Sequence, residues 1–453
     1  MKVGRYLYIA AVVAALAISW TVWQPVTAKA DRAGTQVPRF VVDPFYPKPL
    51  PDNWVTGEVG GTCIDANDHL FIVTRGFQTN GLTSPEGLAG APKSVPSPPV
   101  IEFDPDGNVV NHWGDPTLDA QGRNAVLPGG IHGCFVDYQG NIWIGGNSGD
   151  GVVQKYSHDG KTLLLQIGEK FVCDRPDLPS GLGPCTNAMQ TGSSKTHLNL
   201  PADIAVDPNP DPVTGKRGNV YIADGYGNHR VVVFDSNGVF VRQMGSVGTG
   251  DGQFTSLGGG HPHCVVLGGD GLVYACDRGQ DRINVYQKDG HFVKAIPVVP
   301  GTGLPPGINA TGSAWDVDFS PDKRQQFMYV SDGGNEILWI FDHAVNTILA
   351  GFGRPGHMAG DFTFLHMMAI DSKGNLYAGE TVGGRRVQRF LRKRRRADRR
   401  PAGRHAGKQP QSEPAPLQSG QEQERGRLAS ATRLRPEATR LPAASRIAPR
   451  CPV

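Results

Sequence analysis

Past residue 31 the sequence has no long run of apolar residues at helical spacing, which excludes a helical bundle and leaves short strands as the building element. Its 60 glycines and 36 prolines have no collagen-like period, so they read as turns. Aromatic residues are missing from residues 391–453, where Arg, Ala, Pro, Gln and Ser dominate. A segment of that composition cannot bury a core and is expected to be disordered. Nor does the body have basic charge to spare. Residues 391–453 carry 16 Lys and Arg against 5 Asp and Glu, a net of +11, whereas the 390 before them carry 29 against 37, a net of −8. A basic tail ordinarily suggests an acidic partner, but the body gives no reason to expect nucleic acid. The aromatics disappear near Phe390, where the repeat described below stops in mid-blade, and the switch reads as a change of reading frame.

What is present begins with a targeting segment. Lys2 and Arg5 precede an apolar run from Leu7 to Trp23, and Ala28-Lys29-Ala30 offers a small-x-small cleavage site. Residues 1–30 therefore read as a signal peptide, and the chain as secreted or periplasmic; left uncleaved, the same run would be a membrane anchor. Export suits the cysteines, since six of the seven lie in the body and an oxidising compartment permits disulfides. Cys173 and Cys185 bracket one loop and are the first expected pair. Cys264 and Cys276 face each other across a predicted hairpin and are the second. Cys63 and Cys134 are expected as buried thiols.

One pattern recurs six times: an apolar strand, a turn, a second strand containing an aromatic, a polar loop, and a third strand ending in an aromatic. The copies start at Gly60, Ile131, Pro201, Pro262, Ala314 and Leu365. No copy can bury both faces alone, and radial packing around a channel solves that. The expected fold is therefore all-β, a six-bladed β-propeller over residues 55–390, with residues 31–54 as an N-terminal segment. Ring closure needs one more strand, and Arg39–Asp43 or the lost C-terminus is the candidate donor. Insertions at Phe77–Pro99 and Phe171–Lys195 are long enough to cover a site.

In a propeller the first strand of each blade lines the channel. The residues at one place near its start are Gly60, His132, Ala202, His263, Trp315 and His366, so histidine occupies alternate copies. Alternate blades of a six-fold ring stand about 120° apart, and three imidazoles then converge on the axis. That is a three-His metal site with an open fourth position, most suited to zinc. The second strand returns to the same face, and at its end stand Arg75 in copy one and Arg278 in copy four. Tyr226 follows one place later in copy three, within Asp224-Gly225-Tyr226. Two cations and a phenol beside a metal are suited to binding a carboxylate and easing ionisation of the phenol.

These stretches, above all Leu200 to Ile296, resemble the catalytic core of peptidyl-α-hydroxyglycine α-amidating lyase, a propeller of the NHL-repeat kind; the similarity runs roughly from Val55 to Phe390. The resemblance implies zinc on His132, His263 and His366, a catalytic Tyr226, and active-site arginines at Arg75 and Arg278. It implies a C–N lyase that splits a carbinolamide such as peptidyl-α-hydroxyglycine into an amide and glyoxylate. The family's acid after the last zinc histidine helps to hold a structural calcium, and here that place is Met367, which leaves calcium doubtful. The family disulfide next to its tyrosine falls on Gly227 and Asn199, so that bridge is missing. No stretch resembles the family's copper hydroxylase domain. The expected partner is a small-molecule or peptide substrate at the channel face of a monomer, with no nucleic acid and no membrane beyond an uncleaved anchor. The alternative is a non-catalytic NHL propeller that uses the same face for a protein or glycan.

Overall fold

The computed structural model describes residues 36–75, 95–115, 126–186, 192–256, 260–303 and 312–393. The expected signal peptide, most of the first insertion and the basic tail from residue 394 onward lie outside them; Leu391 and Arg392, expected in that tail, are instead part of a strand.

A local signal sets the strand reversals. An Asp at the end of a first or third strand takes backbone N–H groups two and four residues on, at 2.8–3.0 Å, in the turns at Asp65, Asp104, Asp137, Asp235 and Asp371. This Asx geometry replaces the backbone pairing that the turn interrupts. Strands rich in Val, Ile and aromatics follow on either side, and every four-stranded sheet is antiparallel throughout.

Six four-stranded sheets result. Their innermost strands are Val59–Ile64, Ile131–Val136, Asp203–Val206, Val265–Leu267, Asp316–Phe319 and Leu365–Ile370. Each of these lies against the innermost strand of the next blade, and the sixth returns to the first, so the ring is closed. The core sits between blades, in six clusters, one at each junction. Ile283 and Val285 of the fourth blade meet Val317 and Met328 of the fifth, for example, and Leu70 and Ile72 of the first meet Tyr377 and Val387 of the sixth. Burying one such side chain contributes about 1.5–3 kcal/mol, so the junctions hold the ring together. Among the described residues the helical structure amounts to two three-residue turns, Pro51–Asn53 and Arg278–Gln280.

The sixth blade corrects one expectation. Its third strand runs Arg386–Arg392, and the N-terminal strand Phe40–Asp43 pairs with it as the fourth, with Val42 opposite Phe390. The blade does not stop half-built near Phe390: the N-terminal donor completes it. Phe40 stacks on Phe352 and Tyr329, and Arg389 pairs with Asp43 at 2.6 Å while lying over Tyr46. These contacts lock the closing strand to the ring.

Among the described residues three disulfides are formed. Cys173–Cys185 and Cys264–Cys276 match the expectation. Cys63 and Cys134 do not: both are buried, but they are bonded to each other. They lie on separate copies 71 residues apart, and only ring packing brings the first two innermost strands together. Three such bonds fit an oxidising compartment. No helix among the described residues is long and apolar enough to cross a membrane.

Candidate metal centre

His132, His263 and His366 converge in the channel. Their ring centroids are 4.6–4.9 Å apart, their candidate ligand atoms lie within 4.8 Å of one another, and all three are buried. In blades two and six the ladder skips register at the histidine, between Ile131 and Cys134 and between Leu365 and Met368. Such a bulge re-aims a side chain that regular alternation would place elsewhere. Glycine permits the close strand approach that this requires, because a Cβ on Gly60 would stand 2.1 Å from the Ile131 carbonyl oxygen.

The blades between the histidines are part of the same design. His132 Nδ1 donates to the carbonyl of Ala202 at 2.6 Å, and His263 Nδ1 to that of Trp315 at 2.7 Å. Each carbonyl belongs to the residue at the equivalent place in the next blade. His366 has the Gly60 backbone as its counterpart in looser form: that backbone acts on the ring, while His366 Nδ1 makes no close hydrogen bond. Protonating Nδ1 leaves Nε2 as a bare lone pair, the form that ligates metals. Burial first, and then the neighbouring cations and imidazoles, push all three histidines well below the ordinary imidazole value, so they stay neutral. His263 Nε2 is fully buried with no hydrogen-bond partner, a costly state for a polar atom unless something binds it. Three neutral imidazole nitrogens, one of them orphaned, suit a zinc-like divalent ion with an open position.

Tyr226 and Arg278 join this group. The Tyr226 hydroxyl lies 3.3 Å from His132 Nε2, and Arg278 Nη2 donates to the same oxygen at 3.5 Å. The Arg278 guanidinium lies 4.4 Å over the Trp315 ring, a cation–π contact strengthened by burial. Burial also draws its pKa down, with the Tyr226 oxygen acting the other way. Arg75 comes from the opposite blade, and its charge acts on His132 and His366. It is held by Glu58 at 2.9 Å, Asn147 at 3.2 Å and the Ile131 carbonyl at 3.0 Å. Tyr226 and Arg278 thus meet beside His132, and Arg75 stands near enough for its charge to act on His132 and His366.

Several supporting residues were not anticipated. Trp315 appeared in the repeat column without a role; it holds His263 through its carbonyl and Arg278 through its ring. The Tyr226 turn rests on Asp224, which accepts from Arg230 Nε at 3.0 Å, Asn228 at 2.7 Å and the Asn199 N–H at 2.8 Å. The pairing recurs: Asp277 takes Arg282 and Glu380 takes Arg386, each acid directly opposite its arginine across the second and third strands. That column was readable in the repeat. The turn also depends on Gly225, where a Cβ would stand 1.8 Å from the Pro262 carbonyl oxygen.

Two absences expected from the sequence have structural counterparts. A Cβ at Gly227 would meet Asn199 Cγ at 2.3 Å, so the two places face each other as a bridging pair would. Met367 is buried and shares the far end of the channel with Cys63 and Cys134; its thioether offers a hard cation such as calcium no oxygen.

Fold and site together define a six-bladed all-β propeller with an axial three-histidine group. No protein-family model matches the chain. Among curated proteins it is similar to peptidyl-glycine alpha-amidating monooxygenase B of Xenopus laevis, at 29% identity over 259 residues, 54% of this chain and 24% of that protein. It is similar also to a probable peptidyl-alpha-hydroxyglycine alpha-amidating lyase of Caenorhabditis elegans, at 25% identity over 55% of this chain and 60% of that one. NHL repeat-containing protein 3 of Homo sapiens is 25% identical over 65% of this chain and 73% of its own length. The match thus spans about a quarter of the amidating monooxygenase.

Proposed function

We propose that the chain is an exported, metal-dependent lyase that cleaves the C–N bond of carbinolamides of the N-acyl-α-hydroxyglycine class, giving an amide and glyoxylate. The observation that carries this reading is the meeting of Tyr226, Arg278 and three neutral imidazoles at one point in the channel. His132, His263 and His366 would hold the metal, zinc in this reading, which when bound supplies Lewis-acid polarisation of the substrate hydroxyl. Tyr226 takes the hydroxyl proton as general base. The electron pair of that O–H becomes the new C=O of glyoxylate, the C–N pair leaves with nitrogen, and Tyr226 returns the proton to the amide. Arg278 faces the phenol oxygen and stabilises negative charge there, while Arg75 and Arg278 are the cations available for the substrate carboxylate. The lyase activity named for the Caenorhabditis elegans relative supports this chemistry.

A second reading has one observation in its favour. The match to NHL repeat-containing protein 3 covers more of this chain than the match to the amidating enzymes, which suits a non-catalytic propeller binding a protein or glycan. Such a module has no need of three buried axial imidazoles. The deciding experiment is glyoxylate release from a small N-acyl-α-hydroxyglycine by zinc-loaded protein, before and after chelation and in His263→Ala. Release that chelation and His263→Ala both abolish supports the lyase; none from the zinc-loaded wild type leaves the binding module.

A further inference from the structure

A second constellation of metal-ligating groups stands away from the axial site. Asp65, at the turn after the first strand of blade one, and Glu102, in the third strand of that blade, are buried carboxylates. Their ligand atoms and that of His69 lie within 4.8 Å of one another. His158, from the turn between the third and fourth strands of blade two, turns Nε2 toward both acids, 3.8 Å from Asp65 Oδ2 and 3.7 Å from Glu102 Oε1. We infer that Asp65, Glu102 and His158 form a second divalent-metal site, of zinc-like preference, that staples the first blade to the second.

The distances support this. At 3.7 and 3.8 Å His158 Nε2 is too far to hydrogen-bond either carboxylate. Ligands bound at about 2.0–2.1 Å around a tetrahedral ion stand about 3.3–3.4 Å apart, so His158 Nε2 is within a few tenths of an ångström of that spacing from each acid. His158 is already oriented for it. Its Nδ1 donates to the Gly140 carbonyl at 2.9 Å and its ring stands edge-on to buried Phe71, which leaves Nε2 as the lone-pair nitrogen. Asp65 is fixed as well, because its Oδ1 takes the Asn67 and His69 N–H groups and its Oδ2 accepts from the Asn67 side-chain amide at 3.3 Å, a long hydrogen bond that leaves that oxygen a second lone pair. His69 has a different part. Its Nδ1 lies 2.6 Å from Glu102 Oε1, too close for two ligands of one ion and right for a donated hydrogen bond, so it orients Glu102 from outside the shell. Asp65 and His158 line an open cavity at the end of the channel opposite the three histidines, which gives an ion access and leaves room for water as the fourth ligand. A nitrogen among the ligands favours zinc-class ions over calcium or magnesium.

The test is zinc stoichiometry, with Zn²⁺ alone as the probe. The wild type is expected to bind two equivalents and His158→Asn one, with His158→Asn retaining its zinc-dependent glyoxylate release if the axial site is catalytic. His132→Ala is expected to keep one equivalent, lost on adding Glu102→Gln, and Co²⁺ in place of zinc should give the strong visible bands of a four-coordinate site there. His69→Ala should weaken this site about 10–100-fold without abolishing it, as expected of an outer partner. Unfolding midpoints confirm that each variant is folded. One equivalent in both wild type and His158→Asn, or zinc binding by His132→Ala that Glu102→Gln and His158→Asn leave unchanged, overturns the inference.

Discussion

The hydroxyl of Tyr226 stands 3.3 Å from Nε2 of His132, although the two residues are 94 positions apart. The base proposed for the reaction and a nitrogen proposed for the metal therefore meet at one point. What keeps the neighbouring cation there is Trp315, whose ring lies under Arg278 while its carbonyl holds His263. Trp315→Leu keeps the carbonyl and removes the ring. It is expected to leave axial metal content unchanged, raise KM for the glycine carboxylate and lower kcat, together by on the order of 10-fold in kcat/KM; steady-state kinetics with elemental analysis checks this.

The disulfides should differ in worth. Cys63–Cys134 closes a span of 71 residues and Cys173–Cys185 one of 12. By chain entropy their removal as Cys→Ser pairs should cost about 4 and about 3 kcal/mol respectively. Denaturant unfolding under oxidising conditions measures both, and a larger loss for the short loop would contradict the role given to the inter-blade bond.

Ring closure rests on the N-terminal strand. A chain ending at Lys393 is expected to unfold cooperatively, with the midpoint of the full chain. One beginning at Phe45 loses the partner of Arg386–Arg392 and the Phe40 contacts, and its midpoint should fall sharply. Thermal melts of the two truncations decide between them.

Burial pushes the Asp318 carboxyl up to about 7, with the backbone N–H groups of Phe319 and Ile370 holding it back. The folded protein then keeps this proton through a range in which the unfolded chain, near the usual 3.8, has lost it. Its contribution is present below about pH 4 and declines as pH rises toward 7. Asp318→Asn stays neutral throughout, and its advantage over the wild type should grow from nothing near pH 4 by up to about 1.4 kcal/mol per pH unit toward pH 7. Urea midpoints across that range give the slope, which the substitution should flatten.

Much of this was legible in the chain because a propeller repeats. Aligning copies placed His132, His263 and His366 in one column and put Arg75, Arg278 and Tyr226 at the same face, since strand direction fixes which end of each strand is which. What the columns could not convey is contact between copies. The Cys63–Cys134 bond joins neighbouring innermost strands at a closeness that only ring packing sets. The His158 approach to Asp65 and Glu102 likewise crosses a blade junction, between turns of different copies. The acid–arginine column of Asp224, Asp277 and Glu380 is different: it is visible in the repeat, because each acid ends a second strand and its arginine begins the third. Closure by Phe40–Asp43 was one of two open options, because a strand's pairing partner is a tertiary fact.

The most direct measurement is turnover by Tyr226→Phe, which keeps the ring against His132 and removes only the ionisable oxygen. If Tyr226 is the base of a carbinolamide lyase, the zinc-loaded wild type releases glyoxylate from an N-acyl-α-hydroxyglycine. The variant, with metal content and unfolding midpoint unchanged, should then fall by on the order of 100-fold or more in kcat. Glyoxylate release by Tyr226→Phe at the wild-type rate, or none from the wild type, would contradict the account.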